Sequence, residues 1–263
     1  MKRPCFTLIE LLVVIAVIAL LMAILIPVLQ SSKKQTRAVI CSSNINQLTI
    51  GLFMYENENQ SFPYGFRNIL TPPPGGFAGN LLFDRMGWWW FNYIPDFPGR
   101  NRNNKTILRC PSRRIKKPEF NHVLHGNYGV NRSICKSSDD IRHAEEEFVG
   151  TPLKCSDIAR PGRTLLIVDS GYGIVSWWNV TDDPPIALGS SMEDTAYVPG
   201  LEMNKDRKLW PGLEGDAIDG RHSNKTVNVG FADGHSERIK ADDLFVEKSP
   251  DAYKNRSPLW SPK

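Results

Sequence analysis

The apolar run that decides the fold reads Phe6-Thr-Leu-Ile-Glu10-Leu-Leu-Val-Val-Ile-Ala-Val-Ile-Ala-Leu20-Leu-Met-Ala-Ile-Leu-Ile-Pro27-Val-Leu29. From Leu11 to Leu29 it contains no charged or polar side chain. As a helix this stretch reaches about 28 Å, close to the hydrocarbon thickness of a bilayer. A secretory signal peptide has a shorter apolar core. The run therefore predicts a membrane helix, with a signal peptide and a plain uncleaved anchor as the alternatives.

Glu10 is the one charged residue inside this run. A carboxylate near the start of a membrane helix is costly and usually marks a function and a partner. The alternative is a carboxylate at the interface, solvated by lipid headgroups. Cleavage of the chain before Phe6 would create a free amine, four residues away, with which the Glu10 of a neighbouring copy could pair.

The segment Phe6–Ile15 resembles the N-terminal methylation motif of type IV pilins and type II secretion pseudopilins. The resemblance implies that a prepilin peptidase cuts between Cys5 and Phe6 and methylates the new amine. Glu10 would then guide docking into a filament, and Pro27 matches the helix-kinking proline of the family. The family normally has Gly immediately before the cut, where this chain has Cys5.

On this basis the chain divides into a leader (1–5), a transmembrane and assembly helix (6–29) and a globular head (30–263). The head begins with an amphipathic helix over 30–58, because apolar residues recur there at spacings of three and four. That stripe comprises Cys41, Ile45, Leu48, Leu52 and Tyr55. The expected fold class is α+β and pilin-like: a long N-terminal helix packed on an antiparallel sheet, with long irregular loops.

Three stretches of the head predict strands. Arg163–Asp169 is a short run rich in aliphatic residues and indicates a buried strand. Thr226–Ala232 alternates like a half-buried strand, and His235–Ile239 is its expected return. The Asp233-Gly234 pair between them favours a type I′ hairpin turn. These last two strands form a C-terminal hairpin region over 221–240.

The same region contains the residues that favour a chemical site. His222 and Asp233-Gly234 resemble the C-terminal His-x9-Asp-Gly segment of large pilin-like proteins, here with ten intervening residues. His222 and Asp233 are therefore the candidate metal ligands. No cofactor is expected from the motifs, but calcium is a candidate, because four aspartates (Asp169, Asp216, Asp219, Asp233) offer hard oxygen ligands. Zinc bound through His222 and His235 is the other metal that these residues allow. Alternatively, Asp233-Gly234 only makes the turn and His222 bonds to backbone.

The five cysteines include no CxxC pair, which disfavours zinc-ribbon and thioredoxin-type motifs. An exported head would accommodate one or two disulfides. Spacing does not determine their connectivity, and Cys41–Cys110 is the first pairing to test.

Several function classes are disfavoured by composition and motifs. The net charge of +4 is not concentrated in a basic run, so nucleic acid is not an expected partner. No nucleophile motif, phosphate loop or dinucleotide fingerprint is present, so we do not expect an enzyme.

The leading hypothesis is a structural subunit of a type II secretion or type IV pilus-like system, either a pseudopilin or a minor pilin. It would cross the inner (cytoplasmic) membrane once, with its head outside the cytoplasm or carried on a pilus or pseudopilus. Its partners would be a prepilin peptidase and other pilin-like subunits. The alternative is a membrane-tethered module that binds glycans through tryptophans such as Trp88-Trp89-Trp90, unless those rings fill the core.

Overall fold

A computed structural model describes residues 7–69, 71–73, 87–94, 107–120, 122–138, 147–184 and 195–263. Its main helix, α1, spans Leu8–Asn59 in 52 residues without a break at Pro27. The helix ends at Gln60, which adopts a left-handed conformation (φ 59°) and donates its N–H to the Glu56 carbonyl over 2.7 Å. The long helix confirms the α part of the predicted fold. The predicted cleavage residues Cys5 and Phe6 lie outside the described residues.

The strands form one five-stranded sheet and two short ribbons. Their bounds are β1 Phe66–Arg67, β2 Trp88–Trp89, β3 Tyr128–Asn131, β4 Leu165–Asp169, β5 Ile174–Val175, β6 Thr226–Phe231, β7 Ser236–Lys240, β8 Glu247–Ser249 and β9 Ala252–Lys254, with a short helix α2 at Glu214–Asp219. The main sheet has the order β5-β3-β4-β6-β7. The pair β3–β5 is parallel and the other three pairs are antiparallel, so the predicted antiparallel sheet is correct except at this edge.

The second half of α1 packs on one face of this sheet. Four residues of the predicted stripe (Cys41, Ile45, Leu48, Leu52) are fully buried there, and Tyr55 is half-buried. Asn46 Nδ2 donates to Ser236 Oγ over 3.1 Å, and the guanidinium of Arg238 donates to the Ala38 carbonyl over 2.8 Å. The apolar stripe and these polar contacts with β7 fix the helix on the sheet.

The opposite face of the sheet is also covered. Val227 and Val229 of β6 pack there in a second core that contains Trp177, Trp178 and Trp260. A register shift in β4 between Leu165 and Ile167 marks a bulge. A bulge disturbs the strict alternation of strand side chains. Leu166 and Ile167 therefore both pack in the core between α1 and the sheet, which we call the helix-side core. Burial on both faces explains why β4 is apolar almost throughout.

The hairpin β6–β7 forms as predicted, but the predicted turn type is wrong. Within the turn only Gly234 has a positive φ, of 96°, whereas a type I′ turn needs two such residues. The Gly234 N–H bonds to the Phe231 carbonyl, and the Phe231 N–H bonds to the His235 carbonyl. This is a type I turn followed by a left-handed glycine, which adds one residue to the loop.

The tryptophan run lies mostly inside the protein. Trp89 and Trp90 are buried in the helix-side core, and Trp88 is half-buried with its ring N–H on the Thr71 carbonyl. Trp177 and Trp178 are buried on the other side of the sheet. The prediction that these rings fill the core is therefore confirmed. These tryptophans do not form the exposed surface that a glycan-binding module would need.

The helix and the sheet lie very close together at Gly230 of β6. A Cβ atom on Gly230 would lie 1.9 Å from Thr49 Oγ1. Thr49 cannot easily move away, because it is fully buried and its hydroxyl donates to the Ile45 carbonyl over 2.7 Å.

Replacing Gly230 with Ala should therefore lower the free energy of unfolding by about 1–3 kcal/mol through overpacking. Urea denaturation followed by tryptophan fluorescence measures this change.

Gly215 in α2 provides the matched control, since a Cβ atom there meets nothing within 4 Å. Gly215→Ala should leave stability unchanged or raise it by at most about 1 kcal/mol, because alanine favours helix. Equal stabilities for Gly230→Ala and the wild type would contradict the close packing described here.

Candidate functional site

The first candidate site is the apolar half of α1. Every side chain from Thr7 to Arg37 is exposed, although most of them up to Leu29 are large and apolar. Within this stretch the mean hydropathy of an 18-residue window reaches 3.3, and none of that window is buried. Among the described residues, α1 is the one helix that is long and apolar enough to cross a membrane, which fits single-pass anchoring.

The Glu10 side chain helps to cap the N-terminus of α1. One of its carboxylate oxygens accepts hydrogen bonds from the Thr7 N–H and the Thr7 hydroxyl, both at 2.8 Å. In return the Thr7 hydroxyl oxygen accepts the Glu10 N–H at 3.3 Å. This reciprocal arrangement is a capping box, which satisfies backbone donors that would otherwise be unpaired at a helix start. In the isolated chain Glu10 therefore interacts with its own helix.

The second candidate site is a polar cluster beneath α1, centred on Arg221. The guanidinium makes three hydrogen bonds of 2.7–3.1 Å to the Asp216 carboxylate. It also donates to the carbonyls of Asn127 (2.6 Å) and Ser170 (2.8 Å), and it lies 3.9 Å from Asp169 Oδ1. The side chains of Arg221, Asp169 and Asp216 are fully buried. The Arg221 guanidinium therefore connects three parts of the fold: the residue before β3 (Asn127), the residue after β4 (Ser170) and α2 (Asp216).

The charges of this cluster compensate one another. Burial alone would lower the pKa of Arg221, but the Asp216 carboxylate outweighs it and raises the pKa, so the guanidinium stays charged. Asp216 also accepts the Tyr197 hydroxyl at 2.9 Å and the Arg114 backbone N–H at 2.9 Å. A buried ion pair with its remaining hydrogen bonds satisfied in this way holds the fold together.

His222 lies beside Arg221 and contacts Asp169. Its Nε2 is 3.2 Å from Asp169 Oδ2 and 3.1 Å from Asn228 Nδ2. The Asn228 backbone and side-chain N–H groups both donate to the same Asp169 oxygen, at 2.7 and 3.0 Å. Burial alone would raise the pKa of Asp169, but the hydrogen bonds and charges of its partners, His222 first, lower it overall. Asp169 is therefore a carboxylate despite its complete burial.

His222 and Asp233 occupy different surroundings. Asp233 is in the partly exposed turn between β6 and β7, where its carboxylate bonds to the His235 backbone N–H (3.1 Å) and ring (2.6 Å). In the segment between His222 and Asp233, Asn224 and Lys225 both have left-handed φ angles. The turn role of Asp233-Gly234 agrees with the simpler sequence-based interpretation, while His222 bonds to side chains rather than to backbone.

The four aspartates considered for calcium are divided among separate partners. Asp169 and Asp216 flank Arg221, Asp219 forms an exposed ion pair with Arg114 at 3.4 Å, and Asp233 bonds to His235. Calcium requires six to eight oxygen ligands around one point. The contacts of these carboxylates are instead made to protein cations and N–H groups.

Cys41 and Cys110 form a disulfide, the pairing selected for testing from the sequence, with Cα atoms 5.4 Å apart. It joins α1 to the loop that contains Cys110, and Asn44 of α1 also donates to the neighbouring Arg109 carbonyl at 3.2 Å. The Tyr128 hydroxyl lies 3.6 Å from Cys41 Sγ and accepts a hydrogen bond from Asn44. The disulfide lies directly beside Asp169 and His222, and one ligand atom from each of the four residues lies within 4.8 Å of the others.

Comparison of the chain with protein-family models, curated proteins and solved structures gives no match. The functional argument therefore depends on the geometry itself. The buried cluster has fully buried side chains that stabilise the head, whereas the N-terminal half of α1 presents an unpaired apolar surface. The second feature is the one that demands a partner.

Proposed function

We propose that the chain is a structural subunit, a pseudopilin or minor pilin, that assembles through its N-terminal helix. The observation that carries this proposal is the division of one continuous helix. Its first half exposes apolar side chains from Leu8 to Leu29, and its second half is built into the core of the head. An anchor that served only as a tether would not need to continue as the central helix of the domain it carries.

The exposed half requires an apolar environment throughout. Before assembly a bilayer would cover it, with the head on the extracytoplasmic side of the inner membrane. In a filament the equivalent helices of other subunits would cover it, and packing of such helices depends on shape and on the few polar groups available. Glu10 is the only charged group in this half, so it is the natural partner for the amine of a processed neighbour.

The first test concerns cleavage by a prepilin peptidase, which the proposal requires. Protein purified from membranes should begin at Phe6, with a methylated amine, because only a free amine at that position can reach Glu10 of a neighbouring copy. N-terminal sequencing and intact-mass measurement would check this. An intact Met1 would show that Cys5 does not permit cleavage, and that the amine of Phe6 cannot pair with Glu10.

The second test separates the two roles of Glu10. Glu10→Gln keeps an acceptor at the third helical position, where glutamine also completes a capping box, but it removes the charge. We expect Glu10→Gln to reduce incorporation into filaments about as strongly as Glu10→Ala, at least roughly 10-fold, which corresponds to about 1.4 kcal/mol. Filament fractionation with immunodetection gives the measurement.

Thr7→Ala is the matched control, since it removes the reciprocal cap and leaves the carboxylate. It should retain most incorporation, and all three variants should insert into the membrane like the wild type. Normal incorporation of Glu10→Gln would show that the charge has no part in assembly and that Glu10 only caps its helix.

A further inference from the structure

The Cys41–Cys110 disulfide is buried next to Asp169 and His222, two side chains of types that commonly bind metal ions. The group brings two sulfurs, a carboxylate and an imidazole into the interior of the head, with one ligand atom of each within 4.8 Å of the others. The four residues come from α1, the loop at Cys110, the end of β4 and the segment before β6. The four side chains therefore surround one place in the interior of the head, and we call this group of four residues the cage.

The polar half of this cage is only partly satisfied by the protein. Among the described residues no hydrogen-bond partner reaches Asp169 Oδ1 or His222 Nδ1, although both side chains are fully buried. Buried polar atoms are nearly always hydrogen-bonded, and the exceptions call for an explanation such as a redox role or an ion. Asp169 Oδ1 and His222 Nδ1 therefore keep unused hydrogen-bonding capacity, although both side chains take part in this buried group.

The spacing of the imidazole and the carboxylate is close to that of two ligands on a small tetrahedral ion. His222 Nε2 and Asp169 Oδ2 now contact each other at 3.2 Å, and a bound ion would replace that direct contact. Zinc bonds nitrogen and oxygen at about 2.0–2.2 Å, which places two such ligands roughly 3.4 Å apart in a tetrahedron. The Cys41 and Cys110 Cα atoms are 5.4 Å apart, so their side chains reach a common point from either side of the site.

We infer that, when the Cys41–Cys110 disulfide is reduced, these four residues bind one divalent metal ion of the zinc type. A dithiol reductant gives two electrons and two protons to the sulfur–sulfur bond, which breaks to leave two thiols, while the reductant becomes a disulfide. The metal then displaces the two thiol protons to solvent and forms two metal–sulfur bonds. When a disulfide oxidant accepts two electrons from the two thiolates, and two protons from solvent, it becomes a dithiol, the Cys41–Cys110 bond forms again and the ion is released.

The charges around the cage favour the metal-bound form once the thiols are present. Two thiolates and one carboxylate carry three negative charges, and a divalent ion leaves a single negative charge. Arg221, which pairs with Asp216, also lies 3.9 Å from Asp169 Oδ1 and attracts this remaining charge. The Tyr128 hydroxyl lies 3.6 Å from Cys41 Sγ and can donate to a thiolate there, in the way that outer groups orient the ligands of zinc sites.

The test uses the full chain in detergent micelles and Co²⁺ as the probe, since cobalt with thiolate ligands in a tetrahedral site gives strong visible and near-ultraviolet absorption. After reduction with a water-soluble phosphine and its removal without oxygen, we expect these bands to saturate at one Co²⁺ per chain and to disappear when Zn²⁺ is added. The oxidised protein should show no bands. This comparison needs no substitution, so it stands even if a variant fails to fold.

Variants then assign the ligands. Cys41→Ser and His222→Gln should each weaken Co²⁺ binding by roughly 10-fold or more, on the scale set by the loss of groups that support a metal site. Cys155→Ser, which removes a half-buried thiol outside the cage, should bind Co²⁺ like the wild type. Absence of thiolate–cobalt bands in the reduced wild type would overturn the inference, as would bands that Cys155→Ser abolishes and Cys41→Ser preserves.

Discussion

Replacing Arg221 with methionine is expected to lower the free energy of unfolding of the head by about 3–5 kcal/mol, because it leaves a buried carboxylate without its cation. Methionine keeps much of the side-chain volume but none of the five donors. Among the described residues, Asp216 would retain the Tyr197 hydroxyl and the Arg114 backbone N–H. The Ser170 carbonyl would lose its bond from the guanidinium, and the Asn127 carbonyl would keep the Ser170 N–H at 3.1 Å.

Urea denaturation followed by tryptophan fluorescence measures this loss in the full chain. All seven tryptophans lie in the head, at 88–90, 177, 178, 210 and 260, so the signal reports on the head rather than on the apolar half of α1. The double variant Arg221→Met/Asp216→Asn should recover part of the loss, since the uncompensated charge is gone. Interaction between neighbouring sites of this kind is what a double-mutant cycle detects.

Arg114→Met provides the matched control. The Arg114 guanidinium forms an exposed ion pair with Asp219 at 3.4 Å, and exposed pairs contribute less than about 1 kcal/mol. Its backbone N–H, which bonds to Asp216, is unaffected by the substitution. Equal losses for Arg114→Met and Arg221→Met would show that the buried network does not have the stabilising role described here.

The second large effect is expected from removal of the disulfide. Cys41 and Cys110 are 69 residues apart in sequence, and closing a loop of that length restricts the unfolded chain by about 4 kcal/mol in the chain-entropy model. The double variant Cys41→Ala/Cys110→Ala should therefore unfold at a clearly lower urea concentration than the oxidised wild type. Measurements in the presence of a chelator exclude any contribution from bound metal.

Cys155→Ala is the control for loss of a cysteine as such. The Cys155 thiol is half-buried and donates to the Ala232 carbonyl over a long 3.6 Å contact, so its removal should cost far less than loss of the disulfide. Chemical reduction of the wild type should reproduce the effect of the double variant. An unchanged unfolding midpoint for the double variant would mean that other contacts already hold the loop at Cys110 against α1.

The sequence was sufficient for features that depend on local periodicity. The stripe from Cys41 to Leu52 predicted the buried face of α1, because side chains at spacings of three and four share a side of a helix. Alternation predicted β6, and the apolar run predicted β4. The turn type was predicted incorrectly, since Asp-Gly suits both a type I′ turn and a type I turn with a left-handed glycine.

The buried cluster could not be derived in the same way. Arg221 has partners 5, 51 and 94 residues away in the chain, and no spacing rule connects such positions. His222 was selected for its place in a motif, whereas its actual partners, Asp169 and Asn228, are set by the pairing of β4 with β6. Asp169 itself was considered only as an oxygen ligand for calcium. Its position beside two sulfurs emerges from tertiary packing alone.

The continuity of α1 has a mechanical consequence. At 52 residues the helix is about 78 Å long, and the head is fixed to its distal half by core packing rather than by a flexible linker. The whole helix therefore acts as a lever: a 10° tilt about its starting residue displaces its far end by about 14 Å. Pro27 cannot donate a backbone hydrogen bond, so we expect the helix to bend most easily at this residue. A substitution that makes the helix stiffer or more flexible at position 27 should change how force on the head is transmitted to the apolar half of α1.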